Sequence, residues 1–245
     1  MLLSFVAYNQ EKVLDTTFDA SSKTFLILPL VINNPTFKTG FGVMPMYFFK
    51  FNPEDAISPP SMATITGLYS TNKSYVFLPS ARLFWDEDKN RATIIGGPVR
   101  SNMDFVYQQE GGEDIRLVYS ELRSFITMEY SRKIIGDFYL GLLYLGTKTS
   151  YKFDQGSDEQ NEFAKEFFKE NGITDNFVSS IGLNVSFDNR DYVYYPTKGL
   201  SFSIRPKLNR EWLGSDNDYI DTDFNFQFRY QFSIYKFTIN KFIID

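Results

Sequence analysis

Long stretches in which apolar and polar residues alternate are the feature that most restricts how this chain can fold. Across 200–208 every second residue is apolar and the residues between are Ser, Arg or Lys, and the same alternation runs through 181–188 and 224–232. Such alternation places the two residue types on opposite faces of a β-strand. The segments run about nine to twelve residues, beyond the ~5–6 usual in soluble proteins and close to the ~9–11 that a tilted strand needs to cross a bilayer.

Turn signals divide the chain into about eleven such segments. The predicted strands are 24–34, 40–51, 61–71, 75–86, 91–100, 115–131, 137–152, 177–189, 200–212, 219–234 and 236–244. If the first strand is taken as rising, the connections at 101–114, 153–176 and 213–218 fall on one side, and those at 132–136 and 190–199 fall on the other. Outer-membrane barrels show this separation of long loops from short turns. The connection at 52–60 is longer than its side predicts.

Composition excludes several classes of protein. The longest apolar stretches, such as 25–32, are far shorter than the ~20 residues of a membrane-spanning helix. A formal charge of −5 offers nucleic acid no electrostatic attraction, so no nucleic-acid partner is expected. The chain has no Cys and no His, which removes disulfides, thiolate nucleophiles, zinc fingers and Ser-His-Asp catalysis. We predict a protein that is not an enzyme, with no catalytic residues, no metal site and no cofactor.

Aromatic residues make up 18% of the chain, and several stand near predicted strand ends, where membrane barrels carry aromatic girdles. These are Tyr47, Phe48, Phe49, Phe51, Phe84, Trp85, Tyr151 and Phe153. A soluble β-sandwich alternates too, but its turns recur every ~8–12 residues. The pattern therefore predicts an all-β protein, an antiparallel transmembrane β-barrel with about 10–12 strands, whose partner is the lipid bilayer. The interior is predicted to be lined by Asn184, Ser186, Arg205, Lys207, Gln227 and Arg229.

Two segments outside the strands carry signals of their own. Within 153–176, Ser157 and Gln160 form a capping box ahead of a Phe-rich face, and Asn171-Gly172 ends the pattern, which predicts a short helix that covers the loop or the barrel mouth. Residues 1–23 are interpreted as the remnant of a signal peptide and a lead-in, with the barrel domain at 24–245. A frayed apolar N-terminus explains the first seven residues equally well.

The connection between the strands at 177–189 and 200–212 contains the most specific signal in the chain. Its residues of interest are Asp188, Arg190, Asp191, Pro196, Thr197 and Gly199. Pro196 fixes φ, Gly199 permits an unusual backbone conformation, and the Asp and Arg side chains can order the turn by charge-assisted hydrogen bonds. Two carboxylates with an arginine between them are expected to be ionised and paired, so a structural turn is favoured over a catalytic pair.

This turn resembles the bacterial surface antigen superfamily, the BamA/TamA outer-membrane assembly proteins. Members have a strand that ends in a pattern like Asp-x-Arg-Asp, followed by Pro-Thr-x-Gly and an alternating strand, and all six residues named above stand at those positions. A second similarity, from 28 to 42, is to the first hairpin of small Bacteroidetes-type members without POTRA repeats. The resemblance implies that the turn follows the eighth strand on the periplasmic side. It also implies a role in assembly, insertion or translocation of outer-membrane or surface proteins or lipids, in the bacterial outer membrane, with other outer-membrane or periplasmic proteins as partners.

The chain also departs from that family. The resemblance implies sixteen strands and a lumenal loop with an Arg-Gly dipeptide, which this sequence lacks. We expect either the first part of a sixteen-stranded barrel, incomplete at the C-terminus, or a smaller barrel of ten or twelve strands. Two alternative functions remain open at this stage: a passive porin-like channel, and a soluble β-sandwich that acts as a binding module.

Overall fold

The computed structural model describes residues 23–107, 115–231 and 236–237. Eleven strands follow one another, with one helix between the seventh and eighth. They are β1 (Thr24–Asn34), β2 (Lys38–Phe49), β3 (Ser61–Ser70), β4 (Tyr75–Trp85), β5 (Asn90–Tyr107), β6 (Ile115–Ile135), β7 (Phe138–Lys152), β8 (Asn176–Asp188), β9 (Gly199–Asn209), β10 (Tyr219–Gln231) and β11 (Lys236–Phe237). Helix α1 spans Asp158–Glu170, and a single turn of 3-10 helix spans Glu211–Leu213.

All eleven strands belong to one antiparallel sheet in which each strand pairs with its neighbours in the chain, in the order β1 to β11. This confirms the predicted all-β antiparallel class, and a single continuous sheet is not the two-sheet architecture of a sandwich. Within the described residues, β1 pairs only with β2 and β11 only with β10. The number of strands at closure stays a prediction.

The connections lie at two opposite edges of the sheet, as an antiparallel meander requires. The edge called the loop edge carries the connections 35–37, 71–74, 153–175 and 210–218. The opposite edge, called the turn edge, carries the connections 50–60, 86–89, 136–137 and 189–198. The predicted grouping is therefore confirmed for the connections at 132–136, 153–176, 190–199 and 213–218, and so is the position of the Asp188 turn after the eighth strand. Of the predicted connection 101–114, residues 101–107 belong to β5 and 108–114 lie outside the described residues. The periplasmic placement of the turn edge stays a prediction.

The two faces of the sheet differ in chemistry. On β10 the even-numbered residues Phe224, Phe226 and Phe228 are exposed, with 72, 58 and 49% of their surface accessible. Paired positions on neighbouring strands share a face, so this outer face also carries Leu183 of β8 and Leu142 of β7, which are 47 and 66% exposed. The opposite, inner face carries polar and charged side chains. Apolar residues this exposed over many strands are stable only against lipid or a partner.

Strand boundaries differ from the prediction mainly at β5 and β6. The predicted strand 91–100 extends to Tyr107, and the predicted strand 115–131 extends to Ile135. Asn102 and Asp104 fall within the predicted connection 101–114, but they pair within the hairpin. Asp104 accepts two hydrogen bonds from Arg116 at 2.8 and 2.7 Å, and Ser120 donates one to Asn102 at 2.7 Å. Mutual satisfaction of polar side chains thus continues the strands beyond their apolar part.

Helix α1 begins and ends as predicted. Ser157 is its N-cap, with both hydrogen bonds of the capping box to Gln160, and Asn171 is its C-cap. Phe168 and Ala164 are buried, and the Phe168 ring contacts Tyr119, Tyr151 and Phe153 with centroids 4.7–5.1 Å apart. The helix therefore packs against β6 and the end of β7 at the loop edge. Among the described residues, no helix is long and apolar enough to cross a membrane.

Candidate functional site

Asp188 lies at the centre of an ionic network on the inner face at the turn edge. Its side chain is 8% exposed and accepts hydrogen bonds from two arginines. Arg190 donates from Nε to Oδ1 at 2.7 Å and from Nη2 to Oδ2 at 2.9 Å, and Arg91 donates from Nη1 to Oδ2 at 2.8 Å. Arg190 uses its remaining Nη1 to donate to Gln227 Oε1 at 2.8 Å. Arg190 thus joins the end of β8 to β10, and Arg91 joins the end of β8 to β5.

Arg91 extends this network to the β4–β5 turn. Its Nε and Nη2 donate to the two carboxylate oxygens of Asp88 at 2.9 and 2.6 Å. The Tyr139 hydroxyl donates to Asp88 Oδ2 at 2.8 Å, and the Arg91 Cζ lies 4.0 Å from the Tyr139 ring centroid. Two carboxylates and two arginines, with side chains 8–19% exposed, balance in charge, and every nitrogen of both guanidinium groups has a partner. We call this arrangement the clasp, because its charge-assisted hydrogen bonds join the end of β8 to β5 and to the β4–β5 turn.

The second half of the turn is organised around Asp191 and Gly199. Asp191 accepts hydrogen bonds from the backbone N–H groups of Tyr192, Thr197 and Lys198, and from the Thr197 hydroxyl. Burial opposes ionisation of Asp191, but these hydrogen bonds outweigh it and lower the pKa of its carboxyl. Gly199 has φ +115°, and a Cβ there would lie 2.7 Å from Arg190 Cα. Only glycine fits this close approach.

The connection 189–198 crosses the inner face of the sheet and reaches strands far from its own. The Tyr194 hydroxyl donates to the carbonyl of Pro60 at 2.9 Å. Its ring meets the buried rings of Phe48 and Phe84 edge to face, with centroids 5.8 and 6.3 Å apart. Burial raises the pKa of Tyr194 to about 12. Contact between the β8–β9 connection and strands β2 and β4 requires the sheet to curve around its inner face.

A cavity of about 240 Å³ lies on this inner face beside the clasp. Arg82 of β4 and Arg205 of β9 line it, together with Glu129 and Asn184 from the strands between them. Asn184 Nδ2 donates to Glu129 Oε1 at 2.7 Å, and Arg205 Nε lies 3.2 Å from Glu129 Oε2. The cavity is therefore a polar pocket with ordered walls. In the described ranges, no group of three or more His, Cys, Asp or Glu residues is placed to hold a metal ion.

The residues predicted for the interior do lie on the inner face. Asn184, Ser186, Arg205 and Gln227 line the cavity, Lys207 pairs with Asp221 and Asp223 at 3.1 and 3.0 Å, and Arg229 Nη1 donates to the Pro196 carbonyl at 3.3 Å. Sequence reasoning missed Arg91, Asp88 and Tyr139 of the clasp, and it missed Tyr194. Asp88 and Arg91 are only three residues apart, but the contacts of Tyr139 with Asp88, of Arg91 with Asp188 and of Tyr194 with Pro60 join residues 51, 97 and 134 apart along the chain. No local signal indicates that these distant residues meet.

The predicted aromatic girdle needs a correction. Rings on the outer face do form a row at the turn edge, because neighbouring centroids lie 5.3–6.1 Å apart. The row consists of Tyr47, Phe49, Phe51, Trp85 and Tyr130. Phe48 and Phe84 point instead to the inner face beneath Tyr194, and Tyr151 and Phe153 pack on helix α1. Clustering near a strand end does not indicate the face, whereas the parity of each position does.

One curved antiparallel sheet with an apolar outer face, a polar inner face and an outward aromatic row defines the β-barrel class of bacterial outer-membrane proteins. Comparison with protein families agrees with this assignment. The family model of the Omp85 superfamily domain matches residues 74–242, and the chain belongs to that superfamily. No match was found among curated proteins or among solved structures.

Proposed function

We propose that this chain resides in the bacterial outer membrane and takes part in the assembly, insertion or translocation of outer-membrane or surface proteins or lipids. The observation that carries the proposal is membership of the Omp85 superfamily, whose domain match covers most of the described sheet. Apolar side chains lie on the outer face and polar side chains on the inner face, which supports the membrane location. Transfer of the apolar outer residues of β1 to β10 from water into lipid lowers the free energy of the protein. The proposed partners are the lipid bilayer and client proteins of the outer membrane or periplasm.

The six residues Asp188, Arg190, Asp191, Pro196, Thr197 and Gly199 are proposed as the structural family motif of this barrel. Three observations support the role. Asp188 accepts hydrogen bonds from both Arg190 and Arg91, Asp191 accepts hydrogen bonds from the backbone of 197–198, and the backbone at Gly199 lies too close to that of Arg190 for a side chain to fit. Each fixes the connection 189–198 over the inner face. In this proposal the turn edge faces the periplasm, and the motif acts on client transfer only through the position of that connection.

The test is an insertion assay in liposomes. The full chain is refolded into phosphatidylcholine–phosphatidylethanolamine liposomes, and a urea-unfolded eight-stranded outer-membrane barrel is added as client. We expect the client to fold faster than in empty liposomes, as measured by its heat-dependent migration on gels. Liposomes that contain an unrelated barrel of similar size are the control for bilayer defects. Equal client folding rates in the two kinds of proteoliposome would refute the assembly role.

A passive channel is the alternative that the polar inner face favours. Against it, the connection 189–198 lies across that face, with Tyr194 anchored on Pro60 at the opposite wall. A segment in this position restricts passage of solutes. Planar-bilayer conductance separates the two functions: steady porin-like currents from the parent protein, together with no acceleration of client folding, would establish the channel.

A further inference from the structure

The interior cavity contains hydrogen-bonding capacity that the chain itself does not use. Asn184 is 2% exposed, and its Oδ1 has no hydrogen-bond partner among the described residues. Its orientation is fixed, because Nδ2 donates to both Glu129 and Ser131, at 2.7 and 3.1 Å. A buried acceptor without a partner costs free energy, so it is expected to receive a hydrogen bond from a bound group.

Two arginines that line the cavity, Arg82 and Arg205, have N–H donors without a hydrogen-bond partner among the described residues. Arg82 lines the cavity from β4. Its charge acts on Tyr194, but its guanidinium forms no ion pair or hydrogen bond with any described residue. Arg205 Nε lies 3.2 Å from Glu129 Oε2, but it is buried and has no hydrogen-bond partner among the described residues. No hydrogen bond to a described residue uses the two terminal nitrogens of Arg205 either. By contrast, Arg91 and Arg190 use every guanidinium nitrogen in the clasp. The unused donors therefore lie on two different walls, on β4 and on β9.

The charges around the cavity do not cancel. Arg91, Arg190 and Arg205 are matched by Asp88, Asp188 and Glu129, and the charge of Arg82 remains. Guanidinium groups prefer the planar or tetrahedral oxygens of carboxylates and phosphates. We propose that the cavity binds a small hydroxylated oxyanion, a hydroxycarboxylate or a phosphate monoester, between Arg82 and Arg205, with a ligand hydroxyl donating to Asn184 Oδ1. A volume of about 240 Å³ suits a molecule of this size.

Four probes and the full chain refolded in detergent micelles test the proposal by titration calorimetry. Glycerate and glycerol 3-phosphate combine an oxyanion with hydroxyl groups, propionate has the carboxylate alone, and glycerol has the hydroxyls alone. We expect saturable binding of glycerate or glycerol 3-phosphate, and affinity for propionate and glycerol lower by about tenfold or more. Equal affinity for glycerol, or no heat of binding from either hydroxylated anion at millimolar concentrations, would overturn the proposal.

Two arginine variants locate the site. Arg82→Gln is expected to weaken binding by about tenfold or more, and Arg82→Lys, which keeps the charge without the forked donors, to weaken it less. The matched control is Arg123→Gln, because Arg123 also occupies an inner-face position, on β6, but pairs with Glu121 and lies outside the cavity lining. Loss of binding in the control with retention in Arg82→Gln would contradict the site. This outcome is independent of the insertion assay, because anion binding requires no client protein.

Discussion

The Tyr194 hydroxyl and the Pro60 carbonyl, 134 residues apart in the chain, are joined by a hydrogen bond of 2.9 Å. Through this contact the β8–β9 connection is attached to the β2–β3 connection on the far side of the inner face. Tyr194 also rests on two rings that are 8 and 3% exposed, Phe48 and Phe84. The connection is therefore held by packing as well as by one hydrogen bond.

Substitution of Tyr194 should separate these two contributions. Tyr194→Phe loses only the hydrogen bond to Pro60 and should lower the free energy of unfolding by about 0.5–1.5 kcal/mol. Tyr194→Ala also loses the ring contacts and should cost about 2–4 kcal/mol. If the connection restricts passage, Tyr194→Ala should in addition raise single-channel conductance. Unchanged conductance in a folded Tyr194→Ala barrel would mean that another segment sets the pore size.

Removal of Arg91 should be among the most damaging single changes at the turn edge. Arg91→Met leaves the Asp88 carboxylate without its arginine in a largely buried site and removes one of the two arginines that pair with Asp188. The expected cost is about 3–5 kcal/mol in denaturant unfolding. Lys89→Met is the matched control, since Lys89 forms ion pairs that are about half exposed and should cost less than ~1 kcal/mol. Combining Arg91→Met with Asp188→Leu should cost less than the two single changes added together.

Gly199 is expected to tolerate no side chain. Its φ of +115° and the 2.7 Å approach of a Cβ to the Arg190 backbone predict that Gly199→Ala lowers stability by about 1–3 kcal/mol or more. Gly67→Ala is the control, because a Cβ there meets nothing closer than a carbonyl oxygen at 3.9 Å. The control should change the midpoint of thermal unfolding very little. Equal shifts for both variants would show that the turn accommodates a side chain.

A charge on the outer face should be far more costly than the same charge on the inner face. Phe226→Arg should cost roughly 2–4 kcal/mol near the middle of the bilayer, whereas Asn225→Arg, one residue away, should cost little. Asn225 lines the cavity and is a better control than Gln227, which accepts a hydrogen bond from Arg190. Folding yield in liposomes measures the difference, and equal yields would mean that the two faces are wrongly assigned.

Acid stability should depend on Asp55 in the β2–β3 connection. Burial opposes its ionisation, but hydrogen bonds from Ser58, Glu87 and Ile57 outweigh this and lower the pKa to about 2. A pKa lowered on folding stabilises the protein above the unfolded value near 4, and the stabilisation disappears as pH falls toward 2. The parent should therefore lose more stability between pH 6 and pH 2 than Asp55→Asn. Parallel pH profiles for the two proteins would contradict the shift.

Strands β1 to β10 were predictable because alternation persists along each of them, and β5 alone ends well beyond its predicted bounds. Most of the eleventh predicted strand, 236–244, lies outside the described residues. The Asp188–Arg190 contact was also accessible, since the two residues are neighbours. The contact of Arg91 with Asp188 was not, because it depends on how far β5 and β8 shift relative to each other through β6 and β7. The same holds for Tyr194, whose binding surface combines Phe48 and Phe84 from two other strands.

Three consecutive aromatic residues of β2 point to alternating faces of the sheet. Tyr47 and Phe49 belong to the aromatic row on the outer face, and Phe48 between them packs against Tyr194 on the inner face. Insertion or deletion of one residue upstream in this strand would exchange these roles, placing the support for Tyr194 in lipid and two membrane-facing rings in the interior. Two residues can be added or removed without that exchange. Among natural homologues, length differences within β2 should therefore occur in even steps.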